Sequence, residues 1–141
     1  MIEIINNQRK IVLNTDLIQT FCKRLVKNVP EMNSKTATVV FISDRKMREL
    51  NSEFRGKKGT TDVLSFPFEA EDFESEFETL GEIVISAQQA EKQSKENKLT
   101  FEREIKQLIL HGILHLCGFD HETDNGEMNE REIQLRQKLG I

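Results

Sequence analysis

The chain has 141 residues, of which 37% are hydrophobic and 31% are charged, and its formal net charge is −4. These values predict one soluble globular domain over residues 1–141, without an apolar run long enough to span a bilayer. The acidic balance argues against non-specific coating of long nucleic acids. Cys22 and Cys117 are too few for a disulfide framework and the N-terminus lacks signal-peptide features, so we expect a cytoplasmic protein.

Hydrophobic periodicity, capping residues and turn residues predict four strands and five helices. The strands are predicted at residues 2–5, 36–42, 62–66 and 80–85, and Pro67 indicates that the third strand ends there or lies at an edge. The helices are predicted from Asn14 or Thr15 to about residue 28, from Ser43 or Asp44 through Phe54, from a Ser86–Gln89 capping box to about Asn97, from Thr100 to Cys117, and over about residues 126–139. We therefore expect an α+β fold in which about five α-helices pack on a mixed four-stranded sheet.

Three further segments have a marked composition. The fourth predicted helix is apolar around most of its circumference, which predicts a buried central helix. Arg55-Gly56-Lys57-Lys58 places three positive charges in four residues and indicates a cationic loop. Residues 69–78 read EAEDFESEFE, which predicts an exposed acidic loop with Phe73 and Phe77 as weak anchors.

All three histidines of the chain, His111, His115 and His121, lie within eleven residues. His111 and His115 are four residues apart and so share one face of the central helix. Gly118 is placed to end that helix and to turn His121 back towards the other two. Three imidazoles with an open fourth position predict a catalytic metal site at the end of the helix. Zinc suits these ligands, although nickel, cobalt, copper and iron also accept them.

Residues around the histidines leave alternatives open. The histidine spacing matches that of the metzincin proteases, but Gly112 stands where those enzymes carry their glutamate base. A glycine there also permits a close approach, either of a neighbouring strand or of a substrate. Asp120 either orients His121 through a hydrogen bond or bonds the backbone of its own turn. Cys117 is either a small buried apolar residue or a ligand.

Three blocks of the chain resemble one known family. Residues 111–121, HGILHLCGFDH, resemble the H-G-x-L-H-L-x-G-[YF]-D-H signature of the YbeY family of bacterial rRNA maturation factors. Residues 51–55, NSEFR, followed by residues 61–67, TDVLSFP, resemble that family's N-x-x-[YF]-R and T-D-V-L-S-F-P segments. Residues 81–86, GEIVIS, are similar to its G-[DE]-I-x-I-S strand. The blocks come in the family's order and together with the intervening segments span roughly residues 36–135.

The resemblance implies a cytoplasmic zinc-dependent endoribonuclease that acts on single-stranded RNA in 16S rRNA 3′-end maturation and ribosome quality control. It implies that His111, His115 and His121 bind one zinc ion and that Arg55 is the functional arginine. It also implies rRNA and the small ribosomal subunit as partners, with neither a membrane nor a DNA partner.

The chain departs from the family pattern at two positions. Thr60 stands where the family usually has proline, which predicts a looser loop, and Phe119 replaces a common tyrosine, so no mechanism here depends on a phenol at that position.

These residues lead to a mechanistic hypothesis with two competitors. In the hypothesis zinc polarises the phosphodiester and Arg55 pairs with phosphate, while either water or the RNA 2′-hydroxyl attacks. The first competitor is a metallohydrolase of peptides or small molecules, which the metzincin-like spacing supports and Gly112 opposes. The second is a ribosome-binding or assembly protein with structural zinc, which an ordered fourth ligand such as Cys117 would favour.

Overall fold

Three parallel strands and one antiparallel strand form a mixed sheet. The computed structural model describes residues 1–69, 78–120 and 122–141. The strands are β1 (Ile2–Asn6), β2 (Thr36–Ile42), β3 (Val63–Pro67) and β4 (Thr79–Ser86). Their spatial order is β1-β2-β4-β3, in which β1, β2 and β4 are parallel and β3 pairs antiparallel with β4. Pro67 therefore both ends its strand and lies on an edge strand, as its missing amide donor requires.

Five α-helices within the described ranges surround the sheet, so the predicted α+β class and element count are confirmed. They are α1 (Thr15–Asn28), α2 (Asp44–Arg55), α3 (Ala87–Glu96), α4 (Phe101–Leu116) and α5 (Glu127–Leu139), and a short 3-10 helix (Pro30–Met32) follows α1. None of these described helices has the length and hydropathy that a membrane span needs. The predicted acidic loop falls largely on residues 70–77, which lie outside the described residues.

The helix starts follow from local capping chemistry. Four helices begin after a residue whose side-chain oxygen accepts a hydrogen bond from a backbone N–H three residues later, over 3.1–3.2 Å. The capping residues are Asn14, Ser43, Ser86 and Thr100. The predicted capping box at Ser86 shows a different partner on its backbone side, because the Ser86 N–H donates to the carbonyl of Asp62 at 2.9 Å.

Helix α4 is the buried centre of the molecule, as predicted. It contacts β3 and β4 on the sheet and also packs against α1, α3 and α5. Gly112 is the point of closest approach, because a Cβ atom there would lie only 2.9 Å from two side-chain carbons of Ile83 on β4. Of the two alternatives for this glycine, the structure therefore supports the neighbouring strand. This contact fixes the depth at which α4 and its histidines sit against the sheet.

Candidate active site

His111 and His115 project from the C-terminal half of α4 towards each other. Their Nε2 atoms are 3.1 Å apart, and their ring centroids are 4.7 Å apart at an interplanar angle of 76°. The four-residue spacing on one helix face produces this approach, as the sequence predicted. Both side chains are only partly buried, so part of each ring is accessible although the backbone belongs to a helix.

The distance between the two Nε2 atoms is close to the distance expected for two histidines that bind one metal ion. Two imidazole nitrogens bound to one tetrahedral zinc at about 2.0–2.1 Å lie roughly 3.3 Å apart, close to the observed spacing. In the described ranges no group of three potential ligands surrounds one point. The third predicted ligand, His121, lies outside those ranges, so the three-histidine site stays a prediction.

The turn after α4 has the form that the sequence predicted for bringing His121 round. The Gly118 N–H donates to the His115 carbonyl at 3.0 Å, and the Phe119 N–H donates to the Leu114 carbonyl at 3.1 Å. This is a Schellman motif, and Gly118 occupies its left-handed position with φ of +100°. The helix therefore ends within one turn of His115, and the chain reverses towards α5.

Glu132 on α5 is a site residue that the sequence analysis missed. Its Oε1 lies 2.8 Å from Nδ1 of His111, and its Oε2 lies 3.4 Å from a guanidinium nitrogen of Arg136. The residue is 8% exposed. A signal was present, because the buried positions of α5 are Met128, Glu132, Leu135 and Leu139, so a carboxylate interrupts an otherwise apolar stripe.

The ionisation of Glu132 defines the hydrogen bonding of His111. Burial raises the pKa of the Glu132 carboxyl, but the hydrogen bond with His111 and the charges of His111, Arg136 and His115 outweigh that effect and hold the pKa below its usual value. The ionised carboxylate accepts, so Nδ1 of His111 carries the proton and donates. In the neutral form of His111, Nε2 is therefore the nitrogen left for a metal ion, and it lies 3.1 Å from Nε2 of His115.

Arg55 lies in the same cavity as the histidine pair. The cavity has a volume of about 750 Å³, and both histidines, Arg55, Phe119 and Asp120 are among its lining residues. Arg55 is the last residue of α2, which ends at Gly56 in a left-handed conformation. The neighbouring Lys57 and Lys58 are exposed and do not line this cavity. The structure therefore places Arg55 in the same cavity as two histidines that follow it by more than 50 residues in the sequence.

Thr60, in the loop after Arg55, is hydrogen-bonded to the first residue of α2. Thr60 Oγ1 donates to Asp44 Oδ1 at 2.5 Å, and the same carboxylate oxygen accepts from Ser86 Oγ at 3.1 Å. Thr60 therefore supplies a side-chain hydrogen bond that proline lacks, while its effect on the looseness of the loop stays a prediction.

Three carboxylates also line the cavity. They are Asp62, Asp120 and Glu122. Asp120 Oδ1 accepts from the Glu122 N–H at 3.0 Å, and the Asp120 carbonyl accepts from the N–H groups of Thr123 and Asp124. Asp120 thus bonds the backbone of its own turn, while its predicted role in orienting His121 stays a prediction.

Cys117 is outside the group of residues that line the cavity. It is partly buried and packs against the main hydrophobic core. Burial, with a smaller contribution from the charge of Glu31, raises the pKa of the Cys117 thiol to about 11. Its packing against the core, outside the cavity lining, therefore fits the apolar role better than the ligand role.

Proteins called Endoribonuclease YbeY are similar in sequence to this chain. The protein of this name in Thermodesulfovibrio yellowstonii is 36% identical over 151 aligned residues, covering 98% of this chain and 94% of that protein. The corresponding protein of Clostridioides difficile is 46% identical over 106 residues, covering 72% and 69%. That of Campylobacter jejuni strain RM1221 is 45% identical over 110 residues, covering 78% and 79%.

Structural and family comparisons point the same way. The solution structure of TM1509 from Thermotoga maritima matches with a TM-score of 0.69 and 32% identity, covering 99% of this chain and 89% of that one. The sequence model of the family described as Endoribonuclease YbeY matches residues 3–140. The fold, the extent of the match and the identities agree, and the chain therefore belongs to the Endoribonuclease YbeY family.

Proposed function

We propose that this protein is a zinc-dependent endoribonuclease that cuts single-stranded RNA. It uses His111, His115 and His121 as ligands of one zinc ion and Arg55 as the catalytic contact to phosphate. The observation that carries the proposal is that Arg55, His111 and His115 line one cavity, which therefore contains a cationic residue and two converging imidazoles. Membership of a family named for endoribonuclease activity supports cleavage of RNA phosphodiester bonds.

The proposed biological substrate is the 3′ end of 16S rRNA, with the small ribosomal subunit as partner and ribosome quality control as a related task. This part rests on the family resemblance of residues 111–121 and of the two blocks that precede them. An RNA substrate is compatible with the net charge of −4, because the cationic contact that the cavity supplies is local.

Each protein group has a separate task in the proposed mechanism. Arg55 binds a non-bridging phosphate oxygen and stabilises negative charge as it builds during cleavage. Glu132 holds the proton on Nδ1 of His111 and keeps that ring oriented, so that Nε2 remains an electron-pair donor. His111, His115 and His121 would hold the zinc ion, which would supply Lewis acidity to the cleavage of the phosphodiester.

The attacking group is either water or the 2′-hydroxyl of the RNA. The two routes leave different ends, because attack by the 2′-hydroxyl forms a 2′,3′-cyclic phosphate and attack by water does not. End-group analysis of the cleaved RNA distinguishes them, and a cyclic phosphate would contradict water attack.

Peptide hydrolysis has less support than RNA cleavage. The residue in the metzincin base position is Gly112, and packing against Ile83 leaves no room there for a side chain. An assembly factor with a closed structural zinc site is the second alternative. The position of Cys117 away from the cavity lining argues against that closed site.

The decisive experiment compares the parent protein with His115→Ala, purified identically, on RNA that carries a single-stranded 16S rRNA 3′ extension. We expect cleavage by the parent alone, loss of cleavage with a chelator, and recovery when zinc is added back. A fully paired version of the same RNA is the substrate control. Equal cleavage by both proteins would indicate a contaminating nuclease, and a zinc-bound parent that leaves all substrates intact would favour the assembly factor.

A further inference from the structure

An exposed aromatic ring stands next to the proposed phosphate contact. Phe54 precedes Arg55 at the end of α2, and both residues line the cavity that contains His111 and His115. Phe54 is 59% exposed, although it is a large apolar residue. A side chain of this kind in an active-site cavity is available for contact with a flat apolar ligand surface.

A second aromatic residue braces Phe54. The ring centroids of Phe54 and Phe66 are 5.2 Å apart with an interplanar angle of 74°, an edge-to-face arrangement. Phe66 lies on β3 and packs against the smaller of the two hydrophobic clusters. Because Phe66 is anchored in the sheet, it holds one side of Phe54 while 59% of that residue stays exposed. This reduces the side-chain entropy that a bound ligand would otherwise remove from the ring.

Phe54 and Arg55 supply two kinds of contact that a nucleotide can use, one for its base and one for its phosphate. A single-stranded RNA presents a base with an exposed π-face beside each charged phosphate. Phe54 offers an aromatic ring and Arg55 offers a guanidinium, and both consecutive residues line the same cavity. We propose that Phe54, braced by Phe66, is a stacking platform for one nucleobase beside the phosphate that Arg55 contacts. This inference rests on the proposed function and extends it to how the RNA is held.

The stacking platform explains a preference for single strands without base-specific contacts. A base in a duplex is already stacked on both sides, so its π-face is not available to Phe54. Every base has such a face, so the platform accepts all four bases and selects for strandedness.

The test is a set of binding measurements on the zinc-loaded protein, using labelled single-stranded 2′-O-methyl RNA whose integrity is checked by gel. Phe54→Leu keeps apolar bulk and removes the aromatic face, whereas Phe54→Trp keeps a face. We expect Phe54→Leu to weaken binding about tenfold or more and Phe54→Trp to bind like the parent. Ile133→Ala removes an exposed apolar residue of α5 outside this cavity and is the matched control.

An oligonucleotide series with one abasic nucleotide moved along the strand separates stacking from a structural effect. At the position of the stacked base, the abasic change should weaken binding to the parent and should not weaken binding to Phe54→Leu any further. Equal affinities of Phe54→Leu and the parent for intact RNA would overturn the platform and leave Phe54 as a contact for another partner. The platform would also be overturned if an abasic nucleotide weakened binding equally in both proteins at every position of the strand.

The proposed function can fail in a different way. A parent protein that binds no single-stranded RNA overturns both the function and the platform, whereas a parent that binds and cleaves RNA while Phe54→Leu matches it overturns the platform alone. Thermal unfolding of Phe54→Leu is expected to match that of the parent, because the side chain is mainly exposed.

Discussion

Glu132 and His111 meet across the packed helices α4 and α5, with Oε1 of the carboxylate 2.8 Å from Nδ1 of the imidazole. The side chain of Glu132 is 10% exposed and that of His111 is 33% exposed, so the carboxylate is the more buried partner of this contact. The carboxylate therefore determines which nitrogen of His111 is available for a metal ion.

The first prediction concerns metal affinity. Glu132→Gln keeps the size of the side chain but removes the charge that fixes the proton on Nδ1 of His111. Zinc affinity should fall about tenfold to a hundredfold, as measured by competition with a chromophoric chelator. Glu130→Gln changes an exposed glutamate of the same helix and should leave the affinity unaltered. Parent-like zinc binding by Glu132→Gln would show that the contact only stabilises the fold.

The second prediction separates catalysis from metal binding. Arg55→Ala should slow RNA cleavage about 100-fold to 1,000-fold, because the charge that develops on the phosphate loses its guanidinium partner. Zinc content, measured by atomic absorption, should stay at the parent value. Lys58→Ala removes a neighbouring exposed cation outside the cavity lining and should have a much smaller effect. Loss of zinc in Arg55→Ala would instead make Arg55 a structural residue.

The third prediction concerns the close approach of α4 to the sheet. A Cβ atom at position 112 would lie 2.9 Å from Ile83 Cδ1 and Cγ2, so Gly112→Ala should lower the free energy of unfolding by about 1–3 kcal/mol. Chemical denaturation measures this loss. In an Ile83→Ala background the same substitution should be less harmful, because the clashing carbons are gone. Equal losses in both backgrounds would exclude the clash as the cause.

The fourth prediction is a pH dependence of stability away from the site. Arg131 donates from Nε to Glu31 Oε2 at 2.6 Å, and this hydrogen bond lowers the pKa of the Glu31 carboxyl from its usual 4.5, more than burial raises it. A carboxyl with a lower pKa in the folded state stabilises the fold above its unfolded pKa. That stabilisation disappears as the pH falls through the folded value.

Unfolding experiments between pH 7 and pH 3 on the parent and Glu31→Gln test this. The parent should be more stable near neutral pH, and the difference should begin to shrink near the usual pKa of 4.5 and disappear as the pH falls below the lowered folded value. A difference that stays constant over the whole range would contradict the assignment to the Glu31 charge.

Local signals were sufficient for most of the fold. Caps such as Ser43 and Thr100 bond their own helices, and Pro67 ends its strand, because these effects depend on residues within one turn. The order β1-β2-β4-β3 was not predicted from the sequence. Strand order depends on which surfaces pack together in three dimensions, and no single stretch of sequence contains that information.

The candidate site also has features that local sequence predicted and features that depend on tertiary contacts. The histidine spacing and Gly118 predicted the paired imidazoles and the turn, because both follow from helix geometry. The contact from Glu132 was missed because it joins two helices, even though the carboxylate interrupts an apolar stripe. The glycine at position 112 permits the close approach of either a strand or a substrate, and only the position of Ile83 shows that it is the strand.

The bond between His111 and Glu132 links residues 21 positions apart across two packed helices. A fragment that ends before α5 would retain both α4 histidines and lose the carboxylate that orients one of them. Tight zinc binding should therefore arise late in folding, after α5 has docked on α4, which makes metal affinity a reporter of the finished tertiary structure.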